Sequence, residues 1–176
     1  MLALTFDIKG FFDFVNYQHL LTEMQSRQIP LEYLKWTANF LNNCEAAICV
    51  DGTRGDSKPV KNGIPQDFPV SPILASFYSA DLLEVFQDKA IFSTPKNLEA
   101  NKPSDIDILM YVDNGKLTVS LTSIATNNIL LAKAYKAVDQ WFWKASLIPD
   151  QDKHELMHYT WCKKCGDPTT HIELTE

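Results

Sequence analysis

Residues 2–8, "LALTFDI", alternate around bulky apolar side chains and end at an acid, which predicts a buried strand. Asn16 is a suitable N-cap for a helix of about 12 residues that stops before Pro30. Pro30 then opens a second helix through "LEYLKWTANFLNN". "EAAICV" reads as a strand, Asp51-Gly52 as its turn and "KPVKNGIPQ" as the returning extended segment. Ser71-Pro72 is an N-cap and N1 pair, and it opens one helix, "PILASFYSADLLEVFQ", with a broad apolar face. Residues 90–104 are polar and aperiodic and predict a loop. "DIDILMYVD" and "KLTVSL" predict a hairpin around Asn114-Gly115, the pair favoured in a type I′ turn. A long helix follows over 123–145, then a last strand in "KHELMHY".

Without the two early helices and the first hairpin, the order is strand, helix, strand, strand, helix, strand. This is the split βαβ arrangement of an α+β fold, an antiparallel sheet with helices packed on one face. Its central strands bring the end of the first strand beside the later hairpin. Asp7 and Asp113 then become neighbours in space.

Composition bounds the function. The 176 residues suffice for one domain with a substantial core, and at 45% hydrophobic and 22% charged the chain is globular. No apolar run reaches the roughly 20 residues of a membrane span, and the N-terminus lacks a signal-peptide pattern. The expectation is an intracellular protein of nucleus or cytoplasm, with the cysteines at 44, 49, 162 and 165 reduced. The net charge of −6 provides no surplus of basic residues for nucleic acid.

Two carboxylates at one site repel by about 4 kcal/mol at ~4 Å and an effective dielectric of ~20. A proton or a cation relieves this. An oxygen-rich site suits Mg²⁺ or Mn²⁺, which complete their shells with water and substrate phosphates. The alternative is a pair of ordinary strand-end acids.

Four segments carry a family resemblance. "FDIKGFFDFV" resembles the first catalytic motif of reverse transcriptases, particularly those of non-LTR retrotransposons. "NGIPQDFPVSPILASFY" is similar to their template and nucleotide segment, "MYVDN" to the Tyr-x-Asp-Asp hairpin, and "LIPDQDKHELMHY" to the lysine segment that follows. The resemblance implies a polymerase palm over residues 1–160, with 161–176 as a C-terminal tail. It implies metal binding by Asp7, Asp113 and the Ile8 carbonyl. Phe12 would lie under the incoming sugar. Gly63, Gln66 and Tyr111 would contact nucleotide or template, and Lys153 would approach the pyrophosphate as its general acid. Primer-template of RNA or DNA and dNTPs would be the partners.

The chain departs from the family pattern in ways that affect chemistry. Asn114 stands where the hairpin has its second aspartate, so one negative charge is missing. Asp67-Phe68 replaces a Gly-Ser pair, and Ser146 falls where a glycine is frequent. The chain starts at the first motif, so fingers and thumb would come from other segments or another chain. The expected function is a reverse-transcriptase-like domain, ancestrally a metal-dependent template-directed DNA polymerase, weak or inactive in this form.

Two other classes remain. A non-catalytic scaffold would keep the palm fold, and "DQWFWKA" would leave one of Trp141, Phe142 and Trp143 exposed for a partner. His154-Glu155-x-x-His158 matches the zinc metallopeptidase motif, which requires a helix. A strand fits these residues equally well and separates the two histidines by about 13 Å. Cys162-x-x-Cys165 is half of a zinc site, with His171 as a conceivable third ligand and Cys44 or Cys49 as a distant fourth; the preferred alternative is a pair of free thiols on the tail.

Overall fold

The computed structural model describes residues 1–42, 44–87, 92, 105–121 and 123–159. They divide into two compact units, one of residues 1–9 and 81 onward, the other of residues 10–80.

The first unit is the expected split βαβ core. It contains β1 (Leu2–Asp7), α5 (Ala80–Gln87, but for its first residue), β6 (Asp105–Tyr111), β7 (Asn114–Ser120), α6 (Ile124–Ala145) and β8 (Glu155–His158). The sheet order is β6-β7-β1-β8, and every neighbouring pair is antiparallel. Alternation sorts the side chains. Leu2, Leu4 and Phe6 of β1, Ile106 of β6, and Leu117 and Val119 of β7 form the buried face. Phe142 of α6 meets Phe6 edge-to-face at 5.8 Å between ring centroids. Ser123 caps α6 by accepting from the Thr126 N–H, and Ser146 ends it in the left-handed conformation at φ 57°. Asp81 of α5 accepts from Trp141 Nε1 at 2.7 Å and pairs with Lys144 at 2.9 Å, tying α5 to α6.

The second unit contains α1 (Phe11–Phe14), α2 (Tyr17–Ser26), α3 (Leu31–Asn42), four two-residue strands and α4 (Ser71–Tyr78). Asn16 caps α2 as expected, accepting from the His19 N–H at 3.0 Å. The strand expected over "EAAICV" is divided. β2 (Glu45–Ala46) pairs with β5 (Lys58–Pro59), and β3 (Cys49–Val50) pairs with β4 (Thr53–Arg54) around Asp51-Gly52. Both turn residues have positive φ, 49° and 77°, as a type I′ turn requires.

Three local expectations are corrected. The hairpin turn is Val112-Asp113: Tyr111 pairs with Asn114, and Met110 with Gly115. Packing overrides the turn preference of Asn-Gly, because Gly115 lies against Phe6 and a Cβ there would collide with the ring. Ser71 is the first residue of α4 rather than its cap, since its hydroxyl donates to the Pro65 carbonyl; Val70 holds the cap position. The helix expected through residues 72–87 is interrupted at Ser79, whose buried hydroxyl bonds back to the Ala75 carbonyl at 3.1 Å and favours a bend. Apart from Phe92, the loop expected at 90–104 lies outside the described residues, as does the tail from residue 160.

Candidate active site

The site is built at one end of the sheet, where β1 runs out beside the β6–β7 hairpin. Asp7 is the last residue of β1 and is in register with Asn114. The next N–H, that of Ile8, donates to the Asp113 carbonyl at 2.9 Å. The fold therefore brings the first-motif acid beside the hairpin, as the sequence predicted. The two-residue turn forces Val112 to φ 57°. A β-branched residue is rarely found there, because its Cβ crowds the backbone, at a cost of about 1–2 kcal/mol. The Asp113 carboxylate accepts from the Asn114 side-chain amide at 2.9 Å.

A third segment closes the site. After α6 the chain pairs Lys9 with Ile148 and returns the Asp150 N–H to the Asp7 carbonyl at 2.9 Å. A 3₁₀ turn, Gln151–Lys153, then points Lys153 back at β1. Its Nζ lies 3.1 Å from Asp7 Oδ1 and 3.5 Å from Asp150 Oδ2. The hydrogen bond to Asp7, the charge of Asp7 and the charge of Asp150 hold the ammonium pKa above its ordinary 10.5. Asp150 was not singled out in the sequence, although its i, i+3 spacing to Lys153 was the available signal. His154 follows the turn. Its Nε2 lies 2.7 Å from the Tyr135 hydroxyl, and its Nδ1 faces the Asp150 carbonyl at 3.1 Å. Burial, then the charge of Asp139, pushes the Tyr135 pKa up to about 12.

The sheet face turned away from α6 carries an open groove of about 560 Å³, walled by Asp7, Tyr111, Asn114, Lys116, Asp152 and Lys153, among others. Tyr111 and Leu109 are strongly exposed there. Asn114, in register with Asp7, shares this groove with it and brings an amide where an aspartate would bring a carboxylate.

The donor chemistry suits a hard cation. Asp7, Asp152 and Glu155 bring carboxylate oxygens to the groove, and an ammonium already stands on Asp7; Asp113 adjoins Asp7 through its backbone carbonyl, and its carboxylate is bonded to the Asn114 amide. Ile8 is buried beside them.

The remaining predicted residues belong to the second unit. Phe12 is half-buried in α1 and packs edge-to-face on Phe11. Gly63 donates its N–H to the Val15 carbonyl, and the Ile64 N–H bonds the Phe12 carbonyl, both at 2.8 Å. At Gly63, φ is +91°, and a Cβ would lie 2.9 Å from the Phe12 and Asp13 carbonyls, so only glycine fits. Gln66 is exposed. Asp67 adopts φ 59°, the conformation glycine favours, and the Phe68 ring leans on Phe40 at 5.3 Å.

His154-Glu155-x-x-His158 does not form the metallopeptidase helix. Residues 155–158 are strand β8, paired with β1, and His154 is engaged with Tyr135. Cys162, Cys165 and His171 lie outside the described residues; Cys44 and Cys49 are free thiols. Among the described residues, no helix is long and apolar enough to cross a membrane.

The family model for reverse transcriptase (RNA-dependent DNA polymerase) matches residues 1–171. No curated protein sequence matches the chain. Among solved structures, apo telomerase from Candida tropicalis truncated from its C-terminal domain superposes with a TM-score of 0.62 at 14% identity, covering 89% of this chain and 30% of that one. Telomerase from Candida albicans in complex with a TWJ fragment of telomeric RNA gives 0.65 at 11% identity, covering 97% and 28%. At these identities the likeness is one of fold. The chain spans under a third of the length of these structures.

Proposed function

The chain belongs to the reverse transcriptase family, and we propose that its palm is of the non-LTR retrotransposon type with template-directed nucleotidyl transfer weak or lost. The family and fold carry an ancestry in nucleotidyl transfer, and the family generally depends on divalent metal. The observation that carries the proposal is the register of Asp7 against Asn114, with the Asp7 carboxylate already held by Lys153.

In this reading Asp7 and Asp113, with the Ile8 carbonyl, hold Mg²⁺ or Mn²⁺, which would supply electrostatic stabilisation to the transferring phosphate. Asn114 offers an amide oxygen in place of a charge. Lys153 serves the pyrophosphate side, Phe12 the sugar, and Gly63, Gln66 and Tyr111 the nucleotide and template. An RNA or DNA primer-template and dNTPs are the ligands, with fingers and thumb supplied by further segments or another chain. The telomerase solved with an RNA fragment supports a nucleic-acid partner for this fold.

The test is primer extension on RNA and DNA templates with Mg²⁺ or Mn²⁺. The expected result is background-level extension that Asp7→Ala does not lower further. Robust extension abolished by Asp7→Ala would overturn the proposal of weak or lost activity.

A second reading, a scaffold that binds through its surface, is favoured by one observation. Trp141 and Phe142 are buried, whereas Trp143 is 85% exposed and shares a groove of about 470 Å³ with the exposed Ile148.

A further inference from the structure

We propose that Lys153 is a tethered counter-ion of Asp7 that competes with a divalent cation for that carboxylate. The inference rests on the metal reading above and goes further, because it assigns to the chain its own occupant of the site.

The lysine arm is fixed at its root and free at its tip. The Asp150 N–H is bonded to the Asp7 carbonyl, and the Lys153 N–H to the Asp150 carbonyl at 3.1 Å. His154, bonded to Tyr135, fixes the exit of the turn. Asp7 and Lys153 are therefore held in register by backbone, and the ammonium needs only its own flexible stem to reach the carboxylate. The two ends of the ion pair differ in exposure. The Asp7 side chain is 13% exposed and that of Lys153 is 60% exposed. The ammonium can swing into water, while the carboxylate cannot follow. Asp150, at 3.5 Å, gives the displaced ammonium a second partner.

Charge decides what the site prefers. The Lys153 ammonium cancels the charge of Asp7, while Asp152, Glu155 and Lys116 also line the groove. An aspartate at 114 would place one more negative charge directly across from Asp7 in the sheet register and favour a dication. With Asn114 in its place, the residue in register with Asp7 carries no charge, and the ammonium satisfies Asp7 by itself. A dication must expel Lys153 first, and the Coulomb attraction that would compensate is reduced.

Mn²⁺ titrations of the full chain, read by electron paramagnetic resonance, test this in Lys153→Met, Lys153→Arg, Asp7→Asn and the Lys153→Met/Asp7→Asn double variant. Removing this partly exposed ion pair should tighten Mn²⁺ binding about fivefold in Lys153→Met. Lys153→Arg, which keeps the charge, should stay within about twofold of wild type, on the same electrostatic grounds. Both variants containing Asp7→Asn should lose the site. Equal or weaker binding in Lys153→Met than in wild type, with binding lost on Asp7→Asn, overturns the counter-ion and leaves the metal reading standing. Binding unaffected by Asp7→Asn, or absent from every variant, overturns the metal reading itself. Circular dichroism of each variant checks that the chain is folded; substitution at the exposed Lys153 is expected to leave the spectrum unchanged.

Discussion

The two faces of the sheet respond to different constraints. On the face under α6, Phe6, Leu117 and Val119 are buried, Phe142 meets Phe6, and Gly115 is the gap into which the Phe6 ring fits. On the opposite face, Asp7, Asn114, Lys116 and Lys153 stand around an open groove. Asn114 and Gly115 are consecutive residues on opposite faces, and they illustrate the difference. Gly115 has no tolerated alternative, because shape fixes it. Asn114 is exposed, and a change of charge there alters what the groove can bind while leaving the packing beneath it untouched.

The packed face should break most severely. Phe6→Ala deletes a fully buried ring and is expected to cost about 3–5 kcal/mol, measured as a shift in the denaturant midpoint. Gly115→Ala should cost about 1–3 kcal/mol by overpacking. In a Phe6→Ala background the same glycine substitution should cost much less, since the colliding atoms are gone. Additive costs would show that Gly115 is required for its backbone conformation rather than for the ring.

Tyr135 lies between the two faces in kind, being buried yet bonded to the turn that carries Lys153. Tyr135→Phe leaves His154 Nε2 without its hydroxyl and should cost about 1–2 kcal/mol near neutral pH. The alkaline limb discriminates further. The folded-state pKa is raised from 10.0 to about 12, so tyrosinate forms more readily in the unfolded chain. Stability should be level in this respect below pH 10 and fall as pH rises from 10 toward 12, and Tyr135→Phe should remove that contribution. Urea titrations across that range would measure both effects. A smaller gain is expected at the hairpin tip. Val112→Gly relieves a β-branched residue at φ 57° and should stabilise by about 1 kcal/mol or less, after the extra flexibility glycine gives the unfolded chain.

The sequence made legible those features whose cause is local. Asn16 capping α2 and the helix over Leu31–Asn42 following Pro30 rest on side chains next to the backbone they organise. The split βαβ order followed from element types alone. Features decided by distant packing were not legible. Asn114-Gly115 has strong turn chemistry, but Phe6, more than 100 positions away, takes Gly115 into the strand and leaves the turn to Val112-Asp113. Ser71 resembles a cap and instead donates to Pro65. At the site, motif order located Asp7 beside the hairpin, whereas the ion pair of Lys153 with Asp7 and Asp150 required the backbone turn at 150–153.

The smallest expected effect on the fold is also the one that separates the two faces most clearly. Asn114→Asp changes an exposed residue at the start of β7, and its side chain packs under no helix. Its stability cost in the absence of divalent ions should be within about 0.5 kcal/mol, arising from repulsion by Asp7 and Asp113 rather than from lost packing. Added Mg²⁺ should reverse the sign. A further carboxylate across from Asp7 makes the groove a better dication site, and any ligand that binds only the folded chain stabilises it by mass action. Thermal melts of wild type and Asn114→Asp with and without Mg²⁺ would read this as a metal-dependent rise in midpoint larger in the variant. Equal rises in the two proteins would mean that residue 114 contributes nothing to cation binding, and the open face would then be no more specialised for chemistry than any other exposed sheet.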